Sequence, residues 1–168
     1  EKRVGKKLLA TGNGRCNLTN MGAVPADYGA SAEFVAAALA SFPPKAAVDF
    51  FQELGLLTKE EGQGKVYPLC NQAAAVLDLL RLQGARRGVE TITETRVCAL
   101  RPEGNKWRLT TPQQEFWADR VLVTTGGVAA PQLGGGKESY GLLTSLGHRL
   151  TPLVPALVQL KTETTLPR

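Results

Sequence analysis

The run Val121-Leu122-Val123, closed by Thr124-Thr125-Gly126-Gly127, constrains the fold more than any other stretch of this chain. A short apolar run bounded by glycines predicts a strand buried on both faces, in a parallel sheet covered by helices. Threonine and glycine at the carboxyl end of such a strand lie where open α/β sheets bind ligands. The other reading is a strand-to-loop turn that uses glycine for positive φ. Parallel strands need long crossover connections, usually helices, so the rest of the chain has to supply them.

It does. Residues 32–41 (AEFVAAALAS) and 44–54 (PKAAVDFFQEL) read as helices joined at Phe42-Pro43, with Pro44 at a helix start and Gly55 as a stop. Residues 71–83 (NQAAAVLDLLRLQ) predict a third helix, with Asn71 as its N-cap and Gly84 just past its end. GKVYP (64–68) reads as a short edge strand, and the pair Glu60-Glu61 as part of a solvated polar loop. GVETIT, TRVCALRP, NKWRLTTP and QEFWA are β-branched or aromatic and separated by turn residues, which predicts an antiparallel meander at about 89–118. A glycine-rich loop (134–136), a helix at about 138–147 and a strand at 156–161 follow. The expected class is α/β (α+β): parallel strands with helices, plus the small meander.

Composition sets the outer limits. With 168 residues, 43% of them hydrophobic and 21% charged, the chain can bury a real core and is not of disordered composition. Its longest apolar runs, such as FVAAALA, fall short of a membrane span, and no apolar leader opens the sequence. Cys16, Cys70 and Cys98 are odd in number and widely spaced, and the lone His148 cannot complete a zinc site with them. A reduced, cytoplasmic protein is the expectation. The net charge of +5 is concentrated near the start, where Lys2, Arg3, Lys6, Lys7 and Arg15 face only Glu1.

That basic run leads into Gly12-Asn13-Gly14-Arg15-Cys16-Asn17, which suits neither helix nor strand. Glycines let backbone N–H groups approach an anion, and Lys7 and Arg15 could add charge-assisted bonds to a phosphate. A plain surface turn fits the same residues, and Cys16 could be a small packed side chain. His148, after Gly147, reads as a helix-end residue rather than an acid or base. No nucleophile–base pair is present, so no catalytic residue is assigned.

Taken together, EKRVGKKLLATGNGRCNLTN, FFQELGLLTKEEGQGKVYPLCNQAAAVLDLL, ADRVLVTTGGVAAPQLG and SLGHRLTPLVPALVQLK resemble the BaiN/YhiN-type NAD(P)/FAD-dependent oxidoreductases. This group includes the aminoacetone-oxidase-like flavoproteins. The resemblance runs over nearly the whole chain. It implies a partial glutathione-reductase-like FAD-binding (Rossmann-like) domain over residues 1–155 and the start of an inserted second domain at 156–168. It further implies FAD as cofactor, with NAD(P) or oxygen as electron partner and a small-molecule substrate.

Under the resemblance Glu1 matches the acid that takes the adenosine ribose, at the end of the second strand. The segment from Arg3 through Lys7, Gly12, Asn13, Gly14, Arg15 and Cys16 to Asn17 matches the loop beside the pyrophosphate and ribityl chain. Val97 matches the position whose backbone meets the adenine, and Thr125, Gly126 and Gly127 match a second flavin contact. The family's opening G-x-G-x-x-G unit and closing flavin contact have no counterpart here. Ser139 stands where the family usually has glycine before the tyrosine.

The expectation is therefore a fragment of a flavin oxidoreductase that binds FAD weakly or not at all by itself. Two other classes remain. One is a non-catalytic interaction domain of flavin fold, self-associating through faces exposed by truncation. The other is a polyanion-binding module on the basic run, whose affinity would fall steeply with salt. Neither a nucleic-acid nor a membrane partner is expected.

Overall fold

The computed structural model describes residues 2–134 and 136–154. They divide into two units, one of residues 1–95 with 130–134 and one of residues 96–129 with 135–168.

The first unit is built on α4 (Ala73–Arg86) and a small sheet. Helix α1 (Lys6–Ala10) packs on α4 and anchors the basic run. Gly5 caps α1 at φ 79°, and a Cβ there would fall 2.3 Å from Cδ1 of Leu77, so only glycine fits this crossing. A tight turn at Thr11–Gly14 leads into β1 (Thr19–Asn20). Helices α2 (Ala32–Ser41) and α3 (Pro44–Glu53) form where expected, Pro44 opens the second, and Gly55 follows its end at φ 98°. Strands β2 (Thr58–Glu61) and β3 (Lys65–Pro68) pair antiparallel, with Glu61 opposite Lys65. Strand β1 joins the other edge of β3, with Thr19 opposite Val66, giving the order β1-β3-β2.

The core of this unit joins Cys16, Leu56, Ala73 and Val76, with Leu8, Leu9, Leu18 and Phe51 packed around them. Val76 has no exposed surface, and burial of such a side chain contributes about 1.5–3 kcal/mol.

Several expectations change here. Helix α4 does not stop at Gly84 but runs to Arg86 and ends at Gly88, φ 71°, where the Val89 N–H reaches back to the Gly84 carbonyl at 2.9 Å. A glycine inside a helix only weakens it, and the left-handed stop falls where the chain must turn. Asn71 is not the cap. It sits at φ 54° outside the helix, with its side-chain oxygen buried and without a hydrogen-bond partner. Glu60 and Glu61 lie in β2, not in a loop. GVETIT (88–93) joins no ladder among the described residues.

Residues Pro25–Glu53 reach a mean hydropathy of 1.3 over an 18-residue window. The chain turns there at Gly29 and at Phe42, so the longest continuous helices within that stretch are α2 and α3, of 10 residues each. Ten residues rise about 15 Å, half a bilayer core.

The second unit holds the meander: β4 (Ala99–Glu103), β5 (Lys106–Thr110) and β6 (Glu115–Ala118), antiparallel and in that order. Gly104 turns β4 into β5 at φ 59°, and Leu100 pairs with Leu109 on one face. Arg108 bridges the strands, 2.9 Å from Glu103 and 3.4 Å from Glu115. The buried Thr111 hydroxyl closes the next turn, donating to the Gln114 carbonyl at 2.7 Å and accepting the Gln114 N–H at 3.1 Å.

Helix α5 (Glu138–Thr144) is shorter than expected, and Gly147 (φ 90°) directs the His148 N–H back to the Leu143 carbonyl at 3.2 Å. The expected central strand at Val121–Val123 is not formed among the described residues, and Leu122 is 86% exposed. Apolarity signals a demand for burial, but a strand buried on both faces also needs ladder partners. Both sheets among the described residues are antiparallel. The strand expected at 156–161, and the boundary at 156, lie outside the described residues.

Candidate functional site

The segment Gly12–Asn17 concentrates left-handed backbone. Gly12, Asn13, Gly14 and Cys16 take φ of 56°, 55°, 83° and 60°, with Arg15 in the right-handed region between them. Glycine adopts this conformation freely and asparagine tolerates it, whereas cysteine does so only when held. Cys16 is held, because it is 7% exposed in the core against Leu56, Ala73 and Val76.

Hydrogen bonds close the turn from within. The Cys16 N–H donates to the Thr11 carbonyl at 3.0 Å, and the Arg15 N–H to the Gly12 carbonyl at 3.2 Å. The Thr11 hydroxyl donates to the Leu8 carbonyl at 2.6 Å. Two of the N–H groups that an anion nest would use are thus taken up inside the loop. Past it, the Leu18 N–H donates to the Val66 carbonyl and the Met21 N–H to the Gly64 carbonyl, at 2.8 and 2.7 Å.

Arg15 bonds the loop to the β2–β3 hairpin. Its Nη1 lies 2.9 Å from Glu61 Oε2, and its Cζ lies 4.0 Å from the centroid of the buried Tyr67 ring. Lys59 reaches the other carboxylate oxygen of Glu61 at 2.8 Å. The hydrogen bond from Lys59, then that from Arg15, hold the Glu61 carboxyl below its ordinary pKa. A Cβ on Gly12 would stand 2.8 Å from the Asn17 nitrogen and 3.2 Å from Tyr67 Cε1, so the loop also touches Tyr67 through its backbone. Asn13, Gly14 and Asn17 stay exposed at the crest.

Beside the loop, α1 and α4 border a groove of about 870 Å³, a size that admits a nucleotide-sized ligand. Lys2, Arg3 and Arg81 give it positive charge, offset in part by the Asp78 carboxylate, and Leu8, Leu77, Thr91 and Thr93 also line it. Of the residues singled out in the sequence, Arg3 lines this groove, and Lys7 is half-buried on α1. Glu1 lies outside the described residues.

Val97, Thr125, Gly126 and Gly127 belong to the second unit. Val97 is half-buried just before β4, and the next residue, Cys98, continues the ladder through its N–H to the Thr110 carbonyl at 2.8 Å. Thr125 and Gly126 are exposed, with Gly126 at φ 76°. A Cβ on Gly127 would stand 3.0 Å from the Tyr140 hydroxyl. All three cysteines are free thiols.

Sequence reasoning missed Tyr67, Glu61 and Arg81. The alternation in TKEEGQGKVYP is the signal that could have exposed the hairpin, and the i, i+4 spacing of Leu77 and Arg81 the signal for the groove wall.

A mixed α/β chain with a glycine-rich loop locked beside a cationic groove fits a dinucleotide-binding class, and residues 1–164 match the HI0933-like protein Rossmann domain. This chain belongs to that family. It is 44% identical over 162 residues to a 3-dehydro-bile acid delta(4,6)-reductase of Clostridium scindens, covering 96% of this chain and 39% of that protein. It is also 25% identical to ribosomal RNA dihydrouridine synthases of Haemophilus influenzae and Escherichia coli. Each match covers 94% of this chain, with 40% and 39% of those proteins. The chain spans about two-fifths of the length of these relatives.

Proposed function

We propose that this chain is part of an FAD-dependent oxidoreductase that moves electrons between a small organic substrate and FAD, with NAD(P) or oxygen as second electron partner. The 44% identity to a reductase over 96% of the chain carries this reading. The residues fit the group: the crest at Asn13 and Gly14 leaves backbone open to a ligand, and Lys2, Arg3 and Arg81 suit a diphosphate.

In this reading Glu1 holds the adenosine ribose, the segment from Arg3 to Asn17 runs along the pyrophosphate and ribityl chain, and the Val97 backbone meets the adenine. Thr125, Gly126 and Gly127 contact the flavin. Bound FAD supplies the redox chemistry, while the protein binds and orients it. A small-molecule substrate is preferred over RNA because the reductase is 44% identical and the two RNA-modifying relatives 25%. We place the protein in the cytoplasm, without a nucleic-acid or membrane partner.

We also take the chain as a fragment, expected to bind FAD weakly or not at all in isolation and to self-associate through its exposed apolar surface. Titration of residues 1–168 with FAD then gives no tight complex, whereas a polypeptide extended to the length of the relatives purifies yellow, with one flavin per chain. A colourless extended protein that stays flavin-free at saturating FAD overturns the oxidoreductase reading. Retention of RNA on filters, lost steeply between two salt concentrations, favours a polyanion-binding module instead.

A further inference from the structure

We infer that Arg15 is a positioning residue: together with Tyr67 and Glu61 it sets the Gly12–Asn17 backbone in its left-handed course, and it does not itself contact the ligand. The inference rests on the proposed flavin role of this loop, and it deepens it by separating the residues that meet a ligand from those that shape the site.

Four of the five residues from Gly12 to Cys16 have positive φ, and two of these, Asn13 and Cys16, are not glycine. Such a course persists only where surrounding contacts over-determine it. Cys16 is fixed from below by the core, and Arg15 fixes the other side. The guanidinium lies 4.0 Å from the Tyr67 centroid, and Nη1 is 2.9 Å from a Glu61 oxygen. Tyr67 is 5% exposed, so it serves as a rigid plate, and it also meets the loop at Gly12. Lys59, 2.8 Å from the other oxygen, keeps Glu61 ionised and in place. An arginine so engaged is a poor candidate for a mobile phosphate-binding arm. Lysine could keep the ion pair but not the planar stack.

The test compares R15Q, R15K and E61Q, which alter partly exposed side chains. Exchange of the Cys16 amide, which bonds to the Thr11 carbonyl, is measured by NMR on the 168-residue chain. R15Q is expected to speed that exchange by about five- to tenfold, R15K and E61Q each less because each leaves one of the two contacts in place, and R15Q/E61Q no more than R15Q alone. FAD affinity of the extended polypeptide should fall in step with the exchange rates, most in R15Q and less in E61Q and R15K. Unchanged Cys16 exchange in both single variants overturns the inference. So does an affinity loss in R15Q far out of proportion to its faster exchange, because Arg15 would then touch the ligand. If the extended wild type binds no flavin, only the flavin reading fails, and the exchange measurement still decides the clamp.

Discussion

Gly5 and Leu77 meet so closely that a Cβ on the glycine would lie 2.3 Å from Cδ1 and 2.7 Å from Cδ2 of the leucine. The N-terminus of α1 is thus seated on α4 by backbone against side chain. Alanine at position 5 meets both the left-handed strain of φ 79° and the leucine. G5A is expected to destabilise the chain by about 2–3 kcal/mol in urea unfolding. Shortening the leucine removes the clash, so G5A/L77A should cost clearly less than the sum of the single changes. Strict additivity would refute the contact.

Glu61 gives a pH signature. Lys59 and then Arg15 hold its carboxyl below the ordinary value of 4.5. A depressed folded pKa adds stability that is present above the unfolded pKa and lost as pH falls through the folded one. Melting temperature should therefore drop more steeply below pH 4.5 in the wild type than in E61Q, and the two curves should run parallel near neutrality. Equal slopes in the acid range would remove Glu61 from the account.

Val76 lies at the centre of the first unit with 0% exposure, whereas Phe34 on α2 is 87% exposed. V76A leaves a cavity and should cost about 2 kcal/mol. F34A, although it removes a larger side chain, should stay within about 0.5 kcal/mol. Denaturant midpoints of the two variants check the ranking, and the reverse order would place the core elsewhere.

Leu122, 86% exposed between Val121 and Val123, is the point at which the proposed self-association can be tested. L122S should lower the apparent mass seen by light scattering at high concentration while leaving the melting temperature within about 3 °C of the wild type. An unchanged mass would move the association to another surface.

Local chemistry made much of the fold readable. Pro44 and Gly55 delimit α3, and the turn at Gly104 with alternating residues on either side places β4 and β5. Each signal acts within a few residues, through a fixed φ, a missing donor or a side chain that needs one face of a strand. The errors arose where a distant partner decides. Gly84 reads locally as a stop, but α4 carries on past it to Arg86. VLV reads locally as a buried strand, yet only pairing buries a strand. Asn71 reads locally as a cap, but its positive φ turns it out of the helix.

The same division runs through the site. The glycines and asparagines of GNGRCN, by themselves, determined that this backbone could follow a left-handed course and present polar groups, because those residues lack the steric penalty that others carry. They could not say what Arg15 does. Its partners, Glu61 and Tyr67, lie 46 and 52 positions away and are brought to it only when the β2–β3 hairpin pairs with β1. A cation on a long flexible stem can serve a phosphate, a carboxylate or an aromatic face equally well, so its role is settled by what the tertiary structure sets within 4 Å of it.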